Sequence, residues 1–157
     1  MEDPKEKDSS SQQHEEHEWC VCPKCGEKIA LFQKKEQRTK SKILVVDDEI
    51  GIRDLLQSSF DEEECEVLAA ASAEKAFEVI EKQNPQLVLL DIRLPGIDGV
   101  EALKRIKQMN KNIIVIMVTA FGDDKNALRC MKLGAAAYVS KPFDINYIVM
   151  LIQNYLE

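Results

Sequence analysis

The sequence predicts an α/β fold for residues 41–157, a doubly wound parallel sheet of five strands flanked by five helices. Two features predict it: short apolar runs alternate with segments of helical periodicity, and polar or turn residues bound each run. The five runs are KILVV (42–46), EVLAAA (66–71), QLVLL (86–90), IIVIMV (113–118) and AAYVS (136–140). Right-handed crossovers would place the carboxyl ends of all five strands along one edge of the sheet, where such folds bind ligands.

The five helices are predicted from apolar residues that recur three or four positions apart, as they do on one face of a helix. The four internal groups are Ile52, Leu55, Leu56 and Phe60; Ala76, Phe77 and Ile80; Val100, Leu103 and Ile106; and Ala127, Leu128 and Met131. A fifth helix is predicted from Asp144 to the end of the chain. Ser72 and Asp144 are predicted N-caps, and Gly134 is predicted to end the fourth helix.

The composition and charge of the chain exclude several classes of protein. The 157 residues are 45% hydrophobic and carry a formal net charge of −7. No apolar run approaches the roughly 20 residues that span a bilayer, and the polar start of the chain does not have the pattern of a signal peptide. Because nucleic-acid affinity depends on clustered Lys and Arg, the acidic balance argues against broad nucleic-acid binding. We therefore expect a cytoplasmic protein without a membrane contact.

Residues 1–40 differ in composition from the rest of the chain. They are polar, contain eight basic and nine acidic residues, and place their few apolar side chains near Trp19–Val21 and Ile29–Phe32. This apolar content is too small to bury a core without help. We therefore expect two parts: a short, mostly irregular extension over residues 1–40 and a globular domain over residues 41–157.

Polar side chains with complementary chemistry end four of the predicted strands. They are Asp47, Asp48 and Glu49 after the first strand, Asp91 after the third, Thr119 after the fourth and Lys141 after the fifth. Because like charges a few ångströms apart repel one another, the carboxylates predict a bound cation. Mg²⁺, a hard ion that prefers oxygen ligands, fits best. With the ion bound, Asp91 can attack a phosphoryl group, while Thr119 and Lys141 bind the phosphoryl oxygens.

Four motifs in this part of the chain are similar to those of a known family. They are VVDDE (45–49), LLDIRLPGIDG (89–99), VTAFG (118–122) and YVSKPFD (138–144). On these motifs, residues 42–157 resemble the receiver domain of bacterial two-component response regulators. The motif spacing is most similar to the receivers of nitrogen-regulation-type activators and of the sporulation phosphorelay intermediate. The resemblance implies a flavodoxin-like sheet with strand order 2-1-3-4-5.

The resemblance also implies a role for each motif residue. It implies that Asp91 is the phosphoacceptor and that Lys141 pairs with the phosphate. The implied Mg²⁺ ligands are the carboxylates of Asp47, Asp48 and Asp91 and the backbone carbonyl of Arg93. The implied switch residues are Thr119, through its hydroxyl, and Tyr138, as the rotating aromatic, and Pro142 would follow a cis peptide bond.

We therefore expect a phosphoacceptor response regulator of a two-component system or phosphorelay. A cytoplasmic histidine kinase or a histidine phosphotransfer protein would donate the phosphoryl group to Asp91. The only chemistry of the protein would be its own phosphorylation and dephosphorylation, so we do not expect an enzyme that acts on other substrates. Because the chain ends on the last predicted helix, at Glu157, we expect its output to be contact with a target protein rather than an appended output domain.

Two other functions agree with parts of the sequence. A zinc knuckle in the extension would make the protein a transcription regulator that binds DNA, but residues 1–40 lack a basic excess and a recognisable recognition helix. A phosphatase that forms an aspartyl phosphate also uses a carboxylate nucleophile. Such enzymes keep a second acid two residues after the nucleophile, where this chain has Arg93.

The extension contains a cluster of candidate zinc ligands within residues 14–26. The segment Cys22-Pro23-Lys24-Cys25-Gly26 has the spacing of a zinc knuckle, in which two thiolates share one ion and a glycine permits the tight turn. A closed site needs four ligands. One set is His14, His17, Cys22 and Cys25, and another combines Cys20, Cys22 and Cys25 with one histidine. The alternatives are zinc within one chain, zinc shared between two chains, and an unligated segment with reactive thiols.

Overall fold

Two short strands lie in the first of the two compact units of the chain, Met1–Arg38. The computed structural model describes residues 18–21, 28–31, 40–61, 64–120 and 124–157. Strand β1 (Glu18–Val21) pairs antiparallel with β2 (Lys28–Leu31), and Glu18 lies opposite Leu31. These two strands are not predicted from the sequence, because four residues are too few for alternation to stand out from a polar segment.

The second unit, Thr39–Glu157, contains one five-stranded parallel sheet. Its strands are β3 (Ser41–Val46), β4 (Cys65–Ala70), β5 (Leu87–Asp91), β6 (Ile114–Ala120) and β7 (Ala137–Lys141). Their spatial order is β4-β3-β5-β6-β7, which is 2-1-3-4-5 when the strands of this sheet alone are counted. The predicted fold class and strand order are therefore confirmed.

Five helices connect and follow these strands. They are α1 (Ile50–Ser58), α2 (Ala73–Gln83), α3 (Gly99–Met109), α4 (Asp124–Lys132) and α5 (Ile145–Leu156). The Ser72 hydroxyl accepts a hydrogen bond from the Lys75 amide, and the Asp144 carboxylate accepts one from the Asn146 amide, so both predicted N-caps are confirmed. Soon after α4, Gly134 has a φ of +97°, a conformation that favours glycine.

The core of this unit lies on both faces of the sheet, as a doubly wound fold requires. All five residues of β5 are buried, and alternate side chains enter different clusters. Val88 and Leu90 pack with side chains of α2 and α3, whereas Leu87 and Leu89 pack with side chains of α1 and α5. Both faces of β5 are therefore covered by helices.

The described helices are short. Among the residues that the structure describes, no helix has both the length and the apolar character needed to cross a membrane.

Candidate functional site

Three carboxylates meet at the carboxyl edge of the sheet. Oxygen atoms of Asp47, Asp48 and Asp91 all lie within 4.8 Å of one another. Asp47 and Asp48 follow β3, and Asp91 ends the neighbouring strand β5, where Val46 pairs in register with Leu90. Asp47 and Asp91 are buried, and Asp48 is exposed. The register of two adjacent strands therefore produces the acidic cluster that the sequence predicts.

The ammonium group of Lys141 lies among these carboxylates. Its Nζ is 2.8 Å from Asp47 Oδ2, 2.9 Å from Asp91 Oδ2 and 3.1 Å from Glu49 Oε1. Lys141 ends β7, which is separated from β5 by β6, so its side chain extends past one strand to reach the acids. The peptide bond between Lys141 and Pro142 is cis, as the resemblance implies.

Burial and charge pairing both alter the acidity of this cluster. Burial raises the pKa of Asp91 above its usual value, although the hydrogen bond from Lys141 acts in the opposite direction. For Lys141, burial alone would lower the pKa, but hydrogen bonds to Asp47 and Asp91 outweigh it and raise the pKa. Lys141 is thus kept in its charged form. The carboxylates of the site outnumber this single ammonium, which favours the binding of a further cation.

Backbone amides fix the second oxygen of each buried carboxylate. The Arg93 amide donates to Asp91 Oδ1 at 2.9 Å, and the Glu49 amide donates to Asp47 Oδ1 at 2.9 Å. Both carboxylates therefore receive a backbone hydrogen bond on Oδ1 and a lysine hydrogen bond on Oδ2. These hydrogen bonds set the orientation of both carboxylates before any ligand binds. Arg93 contributes through its backbone amide, and its side chain is exposed.

The two sequence-predicted switch residues lie on β6 and β7. Thr119 is buried at 2% exposure, and it follows Val118, the residue that pairs with Asp91. Thr119 therefore stands at the same edge as the acidic cluster. Tyr138 lies earlier on β7, where it pairs with Met117 and is 47% exposed. The structure thus groups Thr119 with the site and leaves the Tyr138 ring at the surface.

Two residues that contact the site were not assigned a role from the sequence. Glu49 was recognised as an acid at a strand end, and the structure adds its contact with Lys141. Arg53, on α1, donates from Nη1 to the backbone carbonyl of Asp47 at 2.6 Å. The position of Arg53 six residues after Asp47, on the helix that follows the strand, is the only sequence signal, and it also fits a solvated arginine.

Most of the candidate zinc ligands fall outside the part of the chain that the structure describes. His14, His17, Cys22 and Cys25 lie outside the described residues, and Cys20 lies in β1. The zinc hypothesis therefore stays a prediction.

We expect purified protein to contain about one zinc per chain, or about half that amount if two chains share an ion. Elemental analysis of the intact protein measures this content. The variant carrying both Cys22→Ser and Cys25→Ser is the control and should lose the metal. Metal-free protein whose clustered thiols all react freely with a thiol reagent would contradict the zinc hypothesis.

Comparisons with known proteins agree in the region they cover. Residues 43–153 match the family model described as the response regulator receiver domain. Sporulation initiation phosphotransferase F of Bacillus subtilis (strain 168) is 44% identical over 115 residues, which are 73% of this chain and 93% of that protein. The phosphate regulon transcriptional regulatory protein PhoB of Pseudomonas aeruginosa is 35% identical over 117 residues, which are 73% of this chain and 51% of that protein. The match therefore spans about half of PhoB.

Solved structures show the same similarity. The receiver domain of NtrX from Brucella abortus has a TM-score of 0.68 and 34% identity, over 73% of this chain and 97% of that one. A CheY-like receiver domain protein from Methanospirillum hungatei JF-1 has a TM-score of 0.71 and 31% identity, over 75% of this chain and 94% of that one. Both matches leave about a quarter of this chain uncovered.

Proposed function

Because the chain belongs to the response regulator receiver domain family, we propose that it accepts a phosphoryl group on Asp91 from a histidine kinase or a histidine phosphotransfer protein. The observation that carries this proposal is the arrangement around Asp91. Its carboxylate ends a buried central strand, and its two oxygens accept hydrogen bonds from the Arg93 amide and from Lys141. A carboxylate held in one orientation can attack phosphorus, and a neighbouring cation can stabilise the charge of the transferring phosphoryl group.

The proposed transfer is a single displacement at phosphorus. An Asp91 oxygen forms a bond to phosphorus while the bond from phosphorus to the donor's histidine nitrogen breaks, and that nitrogen keeps the bonding electron pair. Lys141, already 2.9 Å from Asp91 Oδ2, would neutralise charge on a phosphoryl oxygen. The Thr119 hydroxyl, at the same edge of the sheet, would donate a hydrogen bond to another phosphoryl oxygen.

The acidic cluster fits a magnesium ion. Its donors are carboxylate oxygens, which Mg²⁺ prefers, and they approach one another within 4.8 Å. Asp47, Asp48 and Asp91 would hold the ion, with the Arg93 backbone carbonyl as the further ligand that the family resemblance implies. When bound, Mg²⁺ supplies positive charge to the transferring phosphoryl group.

The signal would leave the site through β6 and β7. Thr119 is buried next to the cluster, and Tyr138 lies at the surface two residues before Ser140, the partner of Thr119. Movement of Thr119 toward a phosphoryl oxygen would vacate space beside β7 that the Tyr138 ring can enter. A changed surface there would be recognised by a target protein, with no catalysis on other substrates.

The remaining sequence-based expectations stay proposals. They are a cytoplasmic location, an extension over residues 1–40, and a receiver over residues 41–157. The alternative of DNA binding through the extension rests on a zinc knuckle, four of whose five candidate ligands lie outside the described residues. The site at the sheet edge does not support it.

The proposal is tested by labelling the intact protein with a small phosphodonor such as phosphoramidate. We expect acid-labile phosphate to accumulate on the chain with Mg²⁺ present. Labelling should fall at least about tenfold with a chelator, because a metal ion contributes several kcal/mol of charge stabilisation. Restoring Mg²⁺ to the chelated sample is the control. Equal labelling with and without the ion would contradict the role proposed for the acidic cluster.

A further inference from the structure

Asp48 is held less firmly than the other two carboxylates of the acidic cluster. Asp47 and Asp91 are buried, and each accepts hydrogen bonds from a backbone amide and from Lys141. Asp48 is exposed, and within the described part of the chain its carboxylate takes part in no hydrogen bond or ion pair. The position of the Asp48 carboxylate therefore depends on the backbone that carries it.

Each of the two peptide groups that flank Asp48 is fixed by a hydrogen bond. The peptide group after Asp48 contains the Glu49 amide, which donates to Asp47 Oδ1 at 2.9 Å. The peptide group before Asp48 contains the Asp47 carbonyl, which accepts a hydrogen bond from Arg53 Nη1 at 2.6 Å. Because a residue has only two soft backbone dihedrals, the two flanking peptide planes determine the direction in which its side chain leaves the backbone. The Arg53 guanidinium thus fixes one of the two planes that place Asp48.

The backbone of Arg53 belongs to the same turn. Arg53 lies in the first part of α1 and is half-buried, and its own amide donates to the Glu49 carbonyl at 3.3 Å. Its side chain then extends back to the Asp47 carbonyl. Arg53 therefore binds the turn on both sides of Asp48, once through its backbone and once through its guanidinium.

The charge of Arg53 opposes the effect of its hydrogen bond. A guanidinium stays protonated in proteins, and this one binds the backbone of a residue whose carboxylate belongs to the acidic cluster. By charge alone Arg53 repels a divalent cation, so its removal would strengthen Mg²⁺ binding. By orienting Asp48 it favours the cation, so its removal would weaken Mg²⁺ binding. The two effects have opposite signs, and one measurement separates them.

We propose that Arg53 is a positioning residue, which fixes the peptide plane before Asp48 and so holds the Asp48 carboxylate in place for a divalent cation. This inference rests on the magnesium site of the proposed function. Arg53 contacts neither the ion nor the phosphoryl group. A ligand that is already oriented loses less conformational freedom when the ion binds. The benefit therefore lies in affinity for the ion rather than in the transfer step.

The positioning role is tested by calorimetric titration with Mg²⁺ alone, without a phosphodonor. Arg53→Met removes the donor and the charge but keeps most of the stem, whereas Arg53→Lys keeps a charged donor one bond shorter. We expect Arg53→Met to bind Mg²⁺ about fivefold more weakly than the parent, the scale of one net hydrogen bond. Arg53→Lys should recover at least half of the lost binding free energy. Lys82→Met, which removes an exposed charge from the last turn of α2, should bind as the parent does.

Labelling with phosphoramidate separates positioning of a metal ligand from general loosening of the site. Arg53→Met should raise the Mg²⁺ concentration at half-maximal labelling about fivefold and leave the rate at saturating Mg²⁺ within about twofold of the parent. The thermal midpoint in chelator shows whether this variant is folded, and Arg53→Gln replaces it if it is not.

Weaker Mg²⁺ binding that Arg53→Lys recovers, with a normal saturated rate, supports the positioning role. Unchanged or tighter binding in Arg53→Met, an equal loss in Arg53→Lys, or a low rate that Mg²⁺ does not restore overturns it. Failure of the parent protein to bind Mg²⁺ would instead contradict the metal site of the proposed function.

Discussion

Asp91→Asn is expected to abolish phosphoryl incorporation, to below about 1% of the parent level with a small phosphodonor and Mg²⁺. An amide has nearly the size of the carboxylate and can still accept the hydrogen bond of the Arg93 amide, but it is a poor nucleophile toward phosphorus. Incorporation is measured as acid-labile phosphate on the intact chain. Asp54→Asn, which removes an exposed acid from α1, should label as the parent does.

The same variant is expected to be folded and, without Mg²⁺, more stable than the parent. A carboxyl with a raised pKa in the folded chain holds its proton more tightly there than when unfolded. Ionised Asp91 therefore opposes folding at neutral pH. This penalty is absent once the pH is below the pKa of Asp91 in both the folded and the unfolded chain. Removing the charge should raise the thermal midpoint in chelator. Full labelling of a folded Asp91→Asn protein would contradict the assignment.

Gly99→Ala is expected to lower the free energy of unfolding by about 3 kcal/mol. Gly99 begins α3, and its amide donates to the Ile92 carbonyl at 2.8 Å. A Cβ at this position would overlap the carbonyl oxygen of Asp91 and would lie 2.5 Å from the Ile92 Cα. Both contacts are with backbone, which cannot move aside without displacing the strand end that carries Asp91. Urea denaturation measures the loss, and labelling of Asp91 should fall with it.

Gly51→Ala is the matched control for this prediction. Gly51 lies in α1, and a Cβ there would meet nothing within 4 Å. Replacing glycine by alanine inside a helix generally stabilises by about 0.5–1 kcal/mol. We therefore expect Gly51→Ala to be neutral or slightly stabilising. A similar loss of stability in both variants would show that close backbone approach is not what requires glycine at position 99.

The sheet and the acidic cluster could be predicted because their signals are local. Residues 87–90 form a short, continuous apolar run, which is typical of a strand covered on both faces. Once the strands are parallel, their carboxyl ends share an edge, so residues as far apart as Asp47 and Lys141 meet by topology alone. Short-range capping signals such as Ser72 and Asp144 then place the helices between the strands.

The contacts of Glu49 and Arg53 could not be predicted in the same way. A strand-end position places Glu49 at the site, but its pairing with Lys141 depends on how far a lysine stem extends past β6. Arg53 reaches the Asp47 carbonyl only because the turn between β3 and α1 directs it back toward the strand. Such pairings are decided by side-chain geometry, which a sequence pattern with a period of two or 3.6 does not encode.

The measurement that tests the central claim most directly is the identity of the phosphorylated residue. The intact protein is phosphorylated with phosphoramidate and Mg²⁺ and then reduced with borohydride, which converts an aspartyl phosphate to homoserine. Mass spectrometry of the resulting peptides locates the change. We predict homoserine at position 91 alone. Reduction at Asp47, Asp48 or Glu49 instead would contradict the account.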